Sequence, residues 1–315
     1  MGNQSPLLFT DMERNTDTNS QEMKEILREL GSSEFVSIPL LYRLSDLSSD
    51  ELGDFCGAWT SIDPERRRVI VRHLADISEE NFHVDFTEVF AHCLEDGSPD
   101  VRIASLAGLW DSDRVSLIGR LIDLMENDPD QEVRALAAAT LGHYVVLGEW
   151  GQIPTHIIDP IVESLLNQID DEQAGFTIRN AALESVAASG HPRVESLIYD
   201  AYDGADLAAQ MSALFAMGRS ADPRWIDIII DEMSSPLVEM RLEAARAAGE
   251  IGEKSAIPEL IELTSDDDLE VQIVAVSAMG LIGGDVAQRF LLDILDDPDN
   301  QELFEAASDA LEEIE

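Results

Sequence analysis

Apolar residues recur along much of this chain at i, i+3, i+4 and i+7, the spacing that gathers them on one face of a helix. Residues 239–252, "EMRLEAARAAGEIG", and 270–283, "EVQIVAVSAMGLIG", write the pattern twice in nearly the same letters. Aligned on the residue after the first apolar position, successive copies start at Arg102, Arg134, Arg179, Gln210, Arg241, Gln272 and Phe304, at spacings of 32, 45, 31, 31, 31 and 32 residues. Counting that column as zero, position +3 is Ser105, Ala137, Ala182, Ala213, Ala244, Ala275 and Ala307, and position +7 is apolar throughout. A weaker copy begins at Arg67, with Ile70 and Leu74 in the same columns. The spacing predicts one Ala-rich helix per repeat, with small residues at +3 where a neighbouring helix packs closely. Gly142, Gly218, Gly249 and Gly280 stand at +8. Near a helix end they predict the positive φ that stops a helix. Stretches such as "RWIDIIIDEM" and "AIPELIELT" lie between and predict a second, bulkier helix in each repeat. The turns "DGSPD", "NDPDQ" and "DDPDN" predict Asp at N-caps and Pro in first helical turns.

The signatures "SPDVRIASLAGLW", "DPDQEVRALAAATLG" and "EMRLEAARAAGEIG" resemble HEAT repeats of the short bacterial type, similar to phycobilin-lyase-like HEAT repeats. The resemblance implies an all-α, right-handed α-α superhelix (a HEAT-repeat solenoid) of about eight helix pairs. It also implies that Arg102, Arg134, Arg179 and Arg241 line the concave side and form a ladder with turn acids such as Asp100 and Asp130. Gln210 and Gln272 depart from that pattern and predict a weaker ladder at their repeats. The chain then divides into a polar, disordered tail at 1–19, divergent helical repeats at 20–97 and the solenoid at 98–315. The spacing of 45 marks an insertion of about fourteen residues near 145–159, which carries Trp150 and His156.

Charge alters the picture of the surface. The 315 residues hold 64 acids and 20 bases, a formal charge of −44. Such a surface repels phosphate backbones and argues against general nucleic-acid binding. The acids are not spread evenly. Seven ten-residue windows around the Ala-rich helices contain only Glu184 and Glu243, where the chain average predicts about fourteen acids, and the same windows hold nine arginines. The acidity therefore belongs to the turns and outer helices, around a nearly neutral groove. Part of this bias follows from burial alone. The one dense basic stretch, "DPERRRVIVRH", holds Arg66, Arg67, Arg68, Arg72 and His73. It reads as a grip for an acidic partner or a phosphate, or more simply as salt-bridging to nearby acids such as Glu79 and Glu80. Cys56 and Cys93, both in apolar helical patterns, read as buried reduced thiols of a cytoplasmic protein. No apolar run approaches membrane-spanning length, and the first residues do not form a signal peptide.

With 0, +3, +4 and +7 buried, positions +2, +5 and +9 point into the groove. Among them Leu136, His143, Phe215, Arg219, Arg246, Val274 and Leu281 stand out as a partner-binding set, because apolar residues at solvated positions mark contact surfaces. Enzyme chemistry finds no foothold. The six histidines form no HExxH, HxH or His-Glu pattern, and no P-loop, GxGxxG or GxSxG occurs. Asp85, Glu88 and His92 share a helix face, which reads as a solvated face rather than a metal set. These features point to a non-catalytic, monomeric scaffold or adaptor that holds another protein and carries no cofactor. A bilin-lyase-like or other cofactor-handling HEAT-repeat enzyme is the alternative, on resemblance alone.

Overall fold

The structure, a computed structural model, describes residues 22–314, apart from the side chains at positions 298 and 299. The tail expected at 1–19 lies outside the described residues. The described residues are helical, without a β-strand. A first helix, α1 (22–32), and the one-turn α2 (Ile38–Leu41) precede eight helix pairs. These are α3 (Ser49–Trp59) with α4 (Pro64–Glu80), α5 (Thr87–Cys93) with α6 (Pro99–Ala107), and α7 (Ile118–Asn127) with α8 (Gln131–Glu149). Next come α9 (Thr155–Asp170) with α10 (Phe176–Val186) and α11 (Val194–Tyr202) with α12 (Leu207–Arg219). The last are α13 (Ile226–Glu232) with α14 (Val238–Ile251), α15 (Ile257–Leu263) with α16 (Leu269–Ile282), and α17 (Asp285–Asp296) with α18 (Phe304–Glu313). The chain forms two compact units, 1–140 and 141–315, and the division falls within α8. The boundary drawn from sequence at 97/98 lies inside the first unit. The insertion near 145–159 is taken up largely by helix, since α8 runs for 19 residues and α9 for 16.

In the second unit the Ala-rich helices α10, α12, α14, α16 and α18 pack in succession, each also against its bulkier companion. The four glycines at +8 have a different role from the helix stops expected of them. None has a positive φ; those belong to Gly151, Gly190, Gly252, Gly283 and Gly284. A Cβ placed on Gly218 would come 2.7 Å from Cα of Ala247, on Gly249 3.1 Å from Cα of Ala278, and on Gly280 2.7 Å from Cα of Ala310. On Gly142 it would come 3.0 Å from Cα of Ser185. Each partner sits at +6 of the following repeat, so one rule covers all four: glycine at +8 receives a small residue at +6. In "GEIG" and "GLIG" only the second glycine, Gly252 or Gly283, follows the helix in a positive-φ conformation, at 75° and 65°.

The column-zero side chains fasten the turns. Arg102 donates to the Asp96 carbonyl at 2.8 Å and Arg241 to the Ser235 carbonyl at 3.0 Å. Gln210 and Gln272 reach the equivalent carbonyls of Gly204, at 2.9 Å, and Asp266, at 2.5 Å. The arginines extend further, to the aspartate at −6 of the next repeat: Arg67 to Asp96 at 2.8 Å, Arg102 to Asp128 at 2.7 Å, and Arg241 to both oxygens of Asp266 at 2.7 and 2.8 Å. Glutamine has the length and the donor for the carbonyl, but no charge for the carboxylate. The partners expected at Asp100 and Asp130 are replaced by residues two or four positions earlier. Asp130 instead caps α8 by accepting from the amides of Glu132 and Val133 at 2.9 and 3.1 Å, with Pro129 ahead of the cap. Arg134 and Arg179 donate to the carbonyls of Met125 and Ile169 at 2.7 and 3.0 Å. The −6 position after them is Gln173 and Gly204.

The glycine contacts carry a test. In Gly280→Ala the new methyl meets backbone, including the Ala310 carbonyl oxygen at 2.8 Å, so it cannot be absorbed by turning a side chain. A loss of about 1–3 kcal/mol is expected. Gly57→Ala, inside α3 with nothing within 4 Å of the added methyl, is expected to gain about 0.5–1 kcal/mol. Urea unfolding followed by far-UV circular dichroism measures both; equal stability of Gly280→Ala and the parent would remove the close approach.

Candidate partner-binding face

The Ala-rich layer of the second unit has a face not covered by its companion helices. Sequence spacing assigns +2, +5 and +9 to it, but the +2 column largely leaves the surface. Ser212 and Glu243 are buried, and Val274 is half-buried. The cause is the glycine seam, which draws adjacent helices together until the next helix covers +2. The open columns are +5 and +9. Arg219 and Arg246 are exposed, Phe215 and His143 are half-buried, and Leu281 is 57% exposed. Leu136 lies on the α8 segment in the first unit, half-buried, whereas the other six expected residues belong to the second.

Contacts across the seams join several of these side chains. Ser212 on α12 donates to Glu184 on α10 at 2.5 Å. On α14, Arg246 lies 3.5 Å from Glu243 and 3.7 Å from Glu270 of α16. The Glu250 carboxylate reaches within 3.3 Å of a Cβ placed on Gly218 and feels the charge of Arg219. Leu281 spans the next seam, with its Cδ1 at 3.1 Å from a Cβ placed on Gly249. The face therefore offers Leu281 and the edge of Phe215 among arginines balanced by glutamates.

The HEAT-repeat family model matches residues 226–312, which cover the pairs α13–α14 and α15–α16 and all of α17–α18 but the last residue of α18. Those residues are HEAT repeats. The column-zero register that defines them continues upstream to Arg67. No curated protein matches the sequence. Among solved structures, human deoxyhypusine hydroxylase in complex with glycerol is 14% identical, over 95% of this chain and 98% of that one, with a TM-score of 0.36. An engineered protein is 18% identical over 95% of each chain, with a TM-score of 0.39. Importin beta is 15% identical over 95% of this chain and 48% of that one, with a TM-score of 0.45.

The HEAT-repeat frame also locates the other candidates. The two acids of the Ala-rich windows, Glu184 and Glu243, prove to be neighbours. Burial pushes the Glu184 carboxyl up, against the Ser212 hydrogen bond. Burial likewise raises Glu243, Arg246 opposes that, and the charges of Glu184 and Glu250 add to it. Sequence spacing carries a trace of this, since acids are excluded from every other position in those windows. Four members of the basic stretch have partners within the protein, none of them the expected Glu79 or Glu80. Arg66 donates to the Leu30 carbonyl at 2.6 Å, Arg67 joins the ladder, Arg68 pairs with Glu65, and His73 lies 3.6 Å from Asp76. Asp85 and Glu88 both pair with Arg114, and His92 sits edge-on to Phe55 at 5.8 Å. Among the described residues no three His, Cys, Asp or Glu side chains form a metal-binding group, and no helix is long and apolar enough to cross a membrane.

Glu243 yields a signed prediction. A carboxyl whose value is raised on folding favours the protonated native state. Its stabilising contribution is complete below the unfolded value of about 4.3 and is lost as pH rises through the folded one. Glu243→Gln should therefore raise the unfolding midpoint at neutral pH, with the advantage fading as pH falls toward 4. Thermal melts across that range read it; an advantage that grows on acidification has the wrong sign.

Proposed function

We propose that this chain is a non-catalytic scaffold or adaptor that binds another protein along the exposed face of its Ala-rich helices. The observation that carries the reading is Leu281, 57% exposed on a HEAT-repeat helix whose other apolar residues are mostly packed away. An exposed leucine on α16, on the same layer as Arg246 of α14 and Phe215 and Arg219 of α12, suits an amphipathic partner segment, with apolar side chains for the anchor and polar groups for orientation. Val274, His143 and, on the first unit, Leu136 belong to the same proposed surface. The balanced charges there fit a partner chosen by shape and apolar contact more than by bulk attraction, while the net charge of −44 keeps unrelated acidic surfaces away. A monomeric cytoplasmic protein fits this role.

A photo-crosslinking side chain at position 281 should trap a protein partner in extracts of the source organism. The same group at position 292, on companion helix α17 where Leu292 is 50% exposed, should not. Leu281→Asp should weaken binding of the trapped partner by at least about tenfold, with unchanged helical circular dichroism. Equal trapping from both positions, or undiminished binding by Leu281→Asp, would count against this face.

A further inference from the structure

Two rungs of the ladder have no aspartate at −6, since Gln173 follows Arg134 and Gly204 follows Arg179, and only the second of these positions has no side chain at all. Arg67, Arg102 and Arg241 each meet an aspartate at −6 of the following repeat, but for Arg179 that position is Gly204. The turn itself is unchanged, because Gln210 holds the Gly204 carbonyl at 2.9 Å as Arg102 holds that of Asp96 and Gln272 that of Asp266. Gly204 does not have a positive φ, and a Cβ placed there would come 3.2 Å from the Ala201 carbonyl oxygen, so a side chain fits once that turn gives by a few tenths of an ångström. Arg179 and Gly204 both line a cavity of about 590 Å³. It lies at the turn edge of α9–α12, and Phe176, 65% exposed, stands in its wall.

We propose that this empty rung is a binding slot for an aspartate or glutamate side chain carried on a partner peptide, whose carboxylate takes the place that Asp96, Asp128 and Asp266 fill elsewhere. A guanidinium held at its Nε by a backbone carbonyl, as Arg179 is by Ile169 at 3.0 Å, still presents its terminal nitrogens to a carboxylate. The cavity exceeds the volume of one carboxylate several-fold, which leaves room for the flanking residues of a peptide, and Phe176 offers them an apolar contact. The slot's other charges limit its strength. Asp170 is hydrogen-bonded by Arg193, at 2.6 and 3.0 Å, and also feels the charge of Arg179, while Asp206 caps the Ala209 amide at 3.0 Å. Glu172 and Asp200 also line the cavity and repel an incoming acid. The slot therefore takes a single carboxylate aimed at Arg179 and discriminates against polyacidic segments. This site is separate from the Leu281 face, and neither depends on the other.

The test uses the full chain, labelled for amide NMR, at raised salt, where screening shortens the reach of the surrounding acids to a few ångströms. The probes are N-acetyl-Leu-Asp-Leu-amide, its Asn and Arg counterparts, and succinate. The Asp peptide should shift the Gly204 amide saturably, with the Asn peptide at least about tenfold weaker. Arg179→Gln, which places at 179 the residue that already stands at 210 and 272, should abolish the shift and stay folded. Gly204→Asp should fill the slot from within, abolish peptide binding and raise the melting midpoint by about 2–4 °C. Equal binding of the Asn or Arg peptide, binding of succinate as tight as that of the peptide, no shift at millimolar Asp peptide, or undiminished binding by Gly204→Asp would each overturn the proposal.

Discussion

A glycine at +8 lying against a small residue at +6 of the next repeat sets how near one Ala-rich helix comes to another, and most of what distinguishes the second unit follows from that separation. At 2.7–3.1 Å from a neighbouring Cα, the site of the missing Cβ takes a side chain only if the neighbouring helix gives way. Alanine at +3, in all five of these helices, keeps the side chains beside the seam small. The bulk of the core is then supplied by the companion helices, whose Trp225, Ile229, Leu260, Leu263 and Leu291 are buried. Alanine suits both demands, since it has the highest helix propensity and the smallest side chain that still excludes water.

The seam also decides which residues reach solvent. Drawing the helices together buries +2 and leaves +5 and +9, so the exposed face is narrower than helical spacing alone suggests. Acids are scarce on these helices because a carboxylate between them loses hydration; burial raises the carboxyls of both Glu243, at +2, and Glu184, at +5. The turn edge follows the opposite rule. There carboxylates meet arginines and backbone amides, and the Arg241 guanidinium holds the Asp266 carboxyl below the usual carboxylate range. The same residue type is thus destabilised in one layer and stabilised in another, which is how a chain this acidic remains compact.

Much of this was legible before any coordinates. The period, the column-zero arginines and the division into Ala-rich and bulkier helices all stand in the letters, because they depend on spacing within one repeat. The errors share a physical origin: they concern which column of one repeat faces which column of the next. Gly249 and Gly252 look alike in "GEIG", yet one meets a neighbouring helix and the other turns the chain. Asp130 and Asp128 lie two apart in "NDPDQ", yet one caps its own helix and the other holds the preceding repeat's arginine. Leu281 is exposed at +9 although its tip reaches across to Gly249, whereas Glu243 is buried because +2 lies within the seam. The absent carboxylate at Gly204 becomes visible only once the correct ladder column is known.

The most direct test of the seam is a double-mutant cycle across it, Gly249→Ala with Ala278→Gly, measured by equilibrium unfolding. Each single change is destabilising, the first by crowding and the second by helix propensity. If the two positions meet as described, removing the methyl at 278 makes room for the one added at 249, and the pair costs less than the sum of its parts by at least about 0.5 kcal/mol. Strict additivity would mean that the two residues do not touch, and the account of how these helices pack would fail with them.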